Sequence, residues 1–406
     1  MPVELVEIIC ECIVDEADKK SLSTLALTSS TFLHLVRSRR FYTIRNFPTL
    51  CSVEDAAGYS SFSKLLEESP SIGHYVREIY IAFQYHDRPE RSWYCKHPNS
   101  ADSHHSDELG RRTSYHKSMN ALSFMLAGIP HVRVLKFGAG PDFMSWDAFL
   151  PSTQSALSSL LLQNSVISIL FAGISNLPGS LLGSILQLQN LTSLTWSHIS
   201  HDPADLVPLQ ALRVSSLNNI RDLCFSGKAI FGTEPPSELA NLASLILKAS
   251  VAKVEHFTCY NWYCHATLLP VEVGNLTNLK RLSLGFDYIP ISYAVLPFIR
   301  NIVRGGHQSM EILELRIHDM LSTADVRAEA QGMAEFDLLL QERAFDNLQE
   351  VQFHFFCQFE RIKLGFGSSY FIENVMSIIT EFLPRSVSKG LKVVASAPPI
   401  PIYDWR

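Results

Sequence analysis

Charged residues are scarce in this chain of 406 residues, at 18%, and they leave a formal net charge of −6. Binding to nucleic-acid phosphates requires a surplus of lysine and arginine, which this composition lacks. Residues 148–201 contain no Asp, Glu, Lys or Arg, yet their longest apolar run covers only residues 169–174. A membrane-spanning helix needs about 20 apolar residues. The sequence therefore predicts neither a nucleic-acid partner nor a membrane partner.

The chain also lacks a dense cysteine framework, because its eight cysteines are scattered. Small secreted domains that depend on disulfides concentrate their cysteines. The first 20 residues include Glu4, Glu7 and Asp15, where a secretory signal would have a basic start and an apolar core. We therefore expect a reducing compartment, the cytoplasm or the nucleus, in which the thiols are buried as small apolar side chains.

Recognisable catalytic motifs are missing as well. The sequence contains no phosphate-binding loop, no Gly-x-Ser-x-Gly nucleophile turn and no His-Glu-x-x-His zinc motif. Each of these motifs places reactive groups at a spacing that its chemistry requires. We therefore expect a protein that is not an enzyme and that holds no cofactor.

One polar segment, residues 86–118, raises the question of a zinc site. Its candidate ligands are Cys95, His97, His104, His105 and His116. Zinc usually takes paired ligands at short spacing from two clusters, and this set meets that pattern only loosely. We interpret the segment as a solvated, mobile insertion without metal. Cys259 with Cys264 and His265 is a weaker group still, because we expect Cys259 to be a buried thiol.

What the chain does have is apolar content, with 47% hydrophobic and 10% aromatic residues, as in folded globular proteins. Its length favours two units, or a small unit joined to a repeat array. Three short helices are predicted in the first 45 residues. Their apolar faces are Leu5/Ile8/Ile9/Cys12/Ile13, then Leu22/Leu25/Ala26, then Phe32/Leu35/Val36, the last ending at a basic run of arginines.

This N-terminal sequence resembles a known family. Residues 2–9 (PVELVEII), 22–32 (LSTLALTSSTF) and 39–42 (RRFY) look like the F-box of the F-box proteins, particularly the fungal members. The resemblance implies docking on the Skp-type adaptor of a cullin-based ubiquitin ligase, with the rest of the chain selecting the protein to be ubiquitinated. Position by position, it implies adaptor contacts at Pro2, Leu5, Ile8, Ile9, Leu22, Leu25 and Phe32. A helical cap that only seals the end of a repeat array is the alternative.

From about residue 76 an apolar triplet recurs, in which the second member lies three residues after the first and the third lies two residues after the second. Such triplets mark the strands of leucine-rich repeats. Nine are clear: Val76/Ile79/Ile81, Val132/Leu135/Phe137, Val166/Ile169/Phe171, Leu191/Leu194/Trp196, Ile220/Leu223/Phe225, Val254/Phe257/Cys259, Leu279/Leu282/Leu284, Met310/Leu313/Leu315 and Leu348/Val351/Phe353. A weaker tenth is Leu391/Val394/Ser396. From Val132 onward, successive triplets begin 25 to 38 residues apart.

These spacings predict an α/β fold in which each triplet forms a short strand and the intervening segments form helices. Residues 177–188 and 290–304 have the apolar content of such helices. Parallel strands joined by right-handed crossovers would build a curved solenoid with its sheet on the concave face. We expect an F-box-like motif at 1–45, a linker at 46–70 and an irregular leucine-rich-repeat solenoid at 71–400.

A solenoid of this type binds through the outward positions of its strands. We predict that a target protein contacts Lys136, Thr195, Thr258, Tyr260, Trp262, Arg281, Glu314 and Arg316. Trp262 is included because it belongs to the aromatic cluster at residues 260–263, and Trp and Tyr often anchor interfaces. Ordinary solvated strand residues are the alternative for any single position.

Two functional hypotheses result. The first is a substrate-recruiting adaptor of a Skp–cullin–F-box ubiquitin ligase, and the second is a leucine-rich-repeat binding scaffold without ligase coupling. An enzymatic function would need a metal in the polar segment.

Overall fold

The computed structural model divides the described part of the chain into two compact units, Met1–Ile169 and Leu170–Arg406. The described residues are 24, 30–46, 53–83, 105–139, 144–197, 219–226, 246–247, 253–260, 273–287, 291–306, 308–318, 323–356 and 368–396. They alternate helices with parallel strands, so the predicted α/β class is confirmed. Eleven of the described strands belong to parallel sheet structure and follow one another in chain order.

The described part of the first unit includes the helix that the sequence predicts around Phe32 and Leu35. Its elements are α1 (Ser30–Arg40), β1 (Thr43–Asn46), α2 (Val53–Glu68), a 3₁₀ turn (Pro70–Tyr75), β2 (Glu78–Phe83), α3 (His105–Ala127), β3 (Val134–Ala139), β4 (Met144–Ser145), a 3₁₀ turn (Trp146–Ala148) and α4 (Pro151–Leu161). Strand β5 (Ser168–Ala172) begins just before the division between the units.

Parallel pairing in the first unit aligns β1, β2 and β3, with Ile44 beside Ile79 and Ile79 beside Leu135. Helix α2 packs against α3, and α3 against α4. The 3₁₀ turn approaches the end of α3 so closely that a Cβ on Gly73 would lie 1.9 Å from the carbonyl oxygen of Gly128. Only glycine permits this contact of backbone with backbone.

The second unit contains six of the nine clear apolar triplets. Its elements are β6 (Ile174–Ser175), α5 (Gly179–Leu186), β7 (Ser193–Ser197), β8 (Asp222–Ser226), β9 (His256–Tyr260), β10 (Arg281–Asp287), α6 (Ile291–Ala294), α7 (Leu296–Gly305), β11 (Ile312–His318), α8 (Thr323–Ala328), α9 (Ala330–Leu339), a 3₁₀ turn (Arg343–Phe345), β12 (Glu350–Phe356), α10 (Ser368–Phe382), α11 (Pro384–Ser388) and β13 (Lys392–Ser396). Helix α5 confirms the helix predicted at 177–188, and α6 with α7 confirms the one at 290–304.

Strands β7 to β13 pair in parallel, each with the next strand in the chain. Their register aligns the triplets, so that Leu223, Phe257 and Leu282 lie side by side, and each is at most 1% exposed. Of the nine clear triplets, every member is buried except Leu348, which is half-buried. Apolar area removed from water along these rows is the main favourable contribution to folding.

Two helix starts in the second unit are held by carboxylates, one buried and one half-buried. Asp337, which is 3% exposed, accepts hydrogen bonds from the backbone N–H groups of Arg385 and Ser386 at the start of α11. Glu329 accepts one from the N–H of Ile291 at the start of α6. These groups satisfy donors that have no partner within their own helix, and they tie the helices of successive crossovers together.

Two predictions about the segments between the apolar triplets need correction. Residues 105–118 belong to α3 rather than to a mobile insertion, because Met119, Leu122 and Met125 continue the same helix with fully buried side chains. Residues 53–68 of the predicted linker form α2. Residues 86–104 lie outside the described residues.

The tenth triplet is displaced by one residue. Val394 pairs with Gln352 on the outward side, whereas Val393 pairs with the buried Val351. The inward positions of β13 are therefore Val393 and Ala395. Gly390, with φ +86°, stands where the first apolar residue of this triplet would be. A glycine in the left-handed region turns the chain into this strand, and no apolar side chain marks the position.

The core assignment predicts a clear contrast between neighbours in β9. Phe257 is fully buried and its ring packs edge-on against Phe225, so Phe257→Ala should lower the free energy of unfolding by about 3–5 kcal/mol. Thr258→Ala, one residue along on the outward side, should cost less than about 1 kcal/mol. Urea unfolding followed by circular dichroism measures both. Equal losses would contradict the inward and outward assignment.

Candidate functional site

The outward side chains of β7 to β12 form a surface that we call the polar face. Parallel register places them in three rows: Ser193, Asp222, His256 and Arg281, then Thr195, Cys224, Thr258, Ser283, Glu314 and Gln352, then Tyr260, Gly285, Arg316 and His354. Neighbouring strands lie about 4.8 Å apart, so residues far apart in sequence become neighbours here. All of these residues belong to the second unit.

Glu314 lies at the centre of the charged part of this face, and its side chain is only 3% exposed. Nη2 of Arg281 donates to Oε2 of Glu314 over 2.8 Å, and Nε of Arg316 donates to Oε1 over 2.5 Å. We call Arg281 and Arg316 the arginine pair. Each carboxylate oxygen thus receives a charge-assisted hydrogen bond from a different strand.

Burial alone would raise the pKa of Glu314, since a desolvated carboxyl group prefers its neutral form. Hydrogen bonds from Arg316 and Arg281, together with their positive charges, outweigh that effect and lower the pKa below the ordinary value of 4.5. Glu314 is therefore ionised at neutral pH. It compensates one of the two positive charges of the arginine pair.

Arg316 is held from a second side by Tyr260. The guanidinium carbon lies 4.9 Å from the centre of the Tyr260 ring, a cation–π arrangement. Gly285 occupies the position between these two residues in its row, and a Cβ there would lie 2.1 Å from Cδ1 of Tyr260. The ring therefore lies across the glycine, which leaves space for it to reach Arg316.

Two histidines border the cluster. Nε2 of His354 is 3.4 Å from Oε1 of Glu314, and its Nδ1 is 2.6 Å from the hydroxyl of Ser396. Burial lowers the pKa of His354 against the opposing effect of Glu314, so the ring is neutral at pH 7. Nδ1 of His256 lies 2.6 Å from Oδ1 of Asp222, and both side chains are half exposed.

An open depression of about 300 Å³ lies on the polar face beside the arginine pair. Its lining consists of Ser193, Thr195, Asp222, Leu223, Cys224, His256, Thr258, Arg281, Glu314 and Arg316. Burial raises the pKa of the Cys224 thiol to about 12, so the thiol is protonated at neutral pH. A protonated thiol is a poor nucleophile and a poor metal ligand. The depression therefore offers hydroxyls and guanidinium groups, which suit binding.

The structure brings together five of the eight residues predicted to contact a target. Thr195, Thr258, Arg281, Glu314 and Arg316 all line the depression. Tyr260 contacts Arg316 from the neighbouring strand. Lys136 belongs to the first unit, where its Nζ lies 4.4 Å from the centre of the Tyr80 ring.

Trp262 lies outside the described residues. The same holds for six of the predicted adaptor contacts, Pro2, Leu5, Ile8, Ile9, Leu22 and Leu25. The seventh, Phe32, belongs to α1, whose backbone is described at that position.

Sequence reasoning missed Asp222 and His256 as members of the site. Both occupy outward positions immediately before the second apolar member of a triplet, at Leu223 and Phe257. Side chains of a strand alternate between its two sides, and this alternation predicts that Asp222 and His256 point outward, as it does for Thr258. Among the positions immediately before a second apolar member, the prediction included only Arg281, which precedes Leu282.

The candidate metal ligands are not assembled in the part of the chain that the structure describes, where no three His, Cys, Asp or Glu side chains are grouped to hold an ion. His116 is an exposed residue of α3, in which His105 is the first residue. Cys259 is a buried thiol, as predicted. Cys95, His97, His104, Cys264 and His265 lie outside the described residues.

No helix among the described ranges is both long enough and apolar enough to cross a bilayer. No protein-family model matches the sequence, and no curated protein matches it.

The buried carboxylate predicts a specific pH dependence of stability. Because the pKa of Glu314 is lowered in the folded state, its stabilising effect is complete above pH 4.5 and is lost as the pH falls through the lower, folded value. Glu314→Gln should cost about 1–3 kcal/mol of unfolding free energy at pH 7, and this difference should shrink toward pH 3.

Glu335→Gln is the matched control, since Glu335 pairs with Arg300 while both side chains are more than 40% exposed. Exposed pairs contribute about 0–1 kcal/mol, so this variant should differ little from the parent at any pH. Urea unfolding between pH 3 and pH 7 makes the comparison. A pH-independent difference for Glu314→Gln would contradict the assignment.

Proposed function

We propose that the chain is a substrate-recruiting adaptor of a Skp–cullin–F-box ubiquitin ligase. The N-terminal helices would dock a Skp-type adaptor and, through it, a cullin, while the polar face binds the protein to be ubiquitinated. The observation that carries this proposal is the coincidence of the apolar triplets with parallel strands that pair in chain order. Because the triplets are strands, their apolar side chains face the core on one side of the second unit's sheet. The side chains on the other side form the polar face with its depression.

The finer architecture belongs to the same proposal. Parallel strands that each pair with the next strand in the chain, separated by helical crossovers, are typical of leucine-rich repeats. We therefore infer a curved solenoid whose polar face is the concave one. Solenoids of this kind bind proteins through that surface, because successive strands place many side chains side by side without any change to the core.

Support for the ligase half comes from the N-terminal sequence. The resemblance to the F-box rests on residues 2–9, 22–32 and 39–42, and the third of its three predicted helices coincides with α1, Ser30–Arg40. An F-box leaves the chemistry of ubiquitin transfer to other subunits. The contribution of this chain would be proximity, which raises the effective concentration of target lysines near the conjugating enzyme. Such a role requires a cytoplasmic or nuclear location.

A binding scaffold without ligase coupling is the second candidate function. One observation favours it: the depression and its charged cluster lie entirely in the second unit, whereas the adaptor-binding motif lies in the first. Target binding could therefore operate without the adaptor. The two functions share the polar face and differ only in whether the N-terminal helices bind a Skp-type protein.

Adaptor binding is tested by a double substitution in the first predicted helix. Leu5→Asp with Ile9→Asp places two charges on its apolar face, and recovery of a co-expressed Skp-type adaptor should fall at least about tenfold. Tyr293→Asp is the control, since this side chain of α6 is 72% exposed and lies in the other unit. Quantitative pull-down of the adaptor is the measurement. If the double variant recovers as much adaptor as the parent chain, or if the parent chain recovers none, the ligase function is contradicted and the scaffold function is favoured.

A further inference from the structure

We propose that the arginine pair and the adjoining depression form a binding site for a single carboxylate, supplied by an Asp or Glu side chain of the target polypeptide. This inference deepens the proposed function and rests on it in one respect, namely that the polar face binds protein. It does not require the adaptor. The proposal is based on the N–H donors of two oriented guanidinium groups that the hydrogen bonds to Glu314 do not use.

The donors are available on both arginines. Within the described ranges, the hydrogen bonds of the pair run only to Glu314, from Nη2 of Arg281 and from Nε of Arg316. Nε and Nη1 of Arg281 and both terminal nitrogens of Arg316 retain donors, since a guanidinium group presents N–H bonds along its whole planar edge. The side chains are 43% and 30% exposed, so these donors can be reached from the depression.

The arginine pair is also fixed in place before any ligand binds. Glu314 joins the two guanidinium groups from below, and the Tyr260 ring packs against Arg316. Gly285 provides the space that the ring needs. A ligand that meets oriented donors loses less conformational freedom in the complex than one that must order two flexible arginines.

Protein side chains of the described ranges do not cover the remaining donors of the two arginines. Instead, the cluster opens on a depression of about 300 Å³, which is at the lower end of the volumes of ligand pockets. The hydroxyls of Thr195 and Thr258 line the same space and can donate hydrogen bonds to an incoming oxygen. A carboxylate accepts several such bonds at once, and with arginine it forms paired ones.

The charges of the lining select a carboxylate over a phosphate. Arg281 and Arg316 contribute two positive charges, of which Glu314 compensates one by direct contact. Asp222 adds a negative charge two strands away from Arg281, about 10 Å across the face. One net positive charge at the arginine pair matches a monoanion. A phosphate group, with up to two negative charges, would meet stronger repulsion from Glu314 and Asp222 than a monoanion does.

The test uses the full chain and a peptide library whose central residue is fixed as Glu, Asp, Gln, Asn or phosphoserine while the flanking positions are random. The parent chain should retain Glu and Asp peptides at least about fivefold over their Gln and Asn counterparts. Arg281→Gln and Arg316→Gln should each abolish this preference. Arg300→Gln should preserve it, because Arg300 has similar exposure and also pairs with a glutamate, away from the depression.

Arg281→Lys provides a second variant that keeps the positive charge but loses the planar pair of donors. Its preference for Glu and Asp should fall between those of the parent and Arg281→Gln. Absence of an acidic preference in the parent, or a preference unchanged in both Arg281 variants, would overturn the proposal. Stronger retention of phosphoserine than of Glu would overturn the carboxylate assignment. Because no adaptor is present, these outcomes are separate from the pull-down that tests ligase coupling.

Discussion

The alternation of side chains along parallel strands is the constraint on which the rest of the second unit depends. Successive residues of a strand point to opposite sides, so an apolar residue at every second position commits one side to the core and leaves the other to solvent. Pairing of β7 to β13 in chain order then aligns equivalent positions. The buried row of Leu223, Phe257 and Leu282 and the polar row of Cys224, Thr258 and Ser283 result from one register.

The alignment of the strands also stabilises the buried charge of Glu314. An ionised carboxylate that is 3% exposed is unfavourable unless it is paired and fully hydrogen-bonded. Glu314 meets this condition because Arg281 lies two residues before Ser283, its partner on the adjacent strand, and Arg316 lies two residues after it on its own strand. The same contacts orient the two guanidinium groups toward the depression. Stability of the cluster and its capacity to bind an anion therefore have a common origin.

Much of the fold could be predicted from the sequence, because the triplet pattern is local. Phe137, Phe225 and Leu315 were recognisable as core residues from their neighbours alone, and the structure buries each of them. Failures occurred where the local pattern was interrupted. The polar first half of α3 concealed the helix that Met119 and Leu122 anchor.

The site was harder to predict than the fold, because it depends on pairing between strands. Its residues could be named from alternation, but the hydrogen bond between Arg281 and Glu314 joins positions 33 residues apart. Only the register of β10 and β11 brings them together. The space above Gly285 that admits the Tyr260 ring is likewise a property of three adjacent strands.

Site-specific photocrosslinking tests most directly whether the polar face is where the chain binds its target. A photoreactive phenylalanine analogue at position 258 lies in the depression, and the same group at position 293 lies on an exposed part of α6. The account predicts covalent adducts with a defined set of proteins from position 258, reduced by Arg281→Gln and absent from position 293. Equal adducts from both positions, or adducts from position 293 alone, would contradict it.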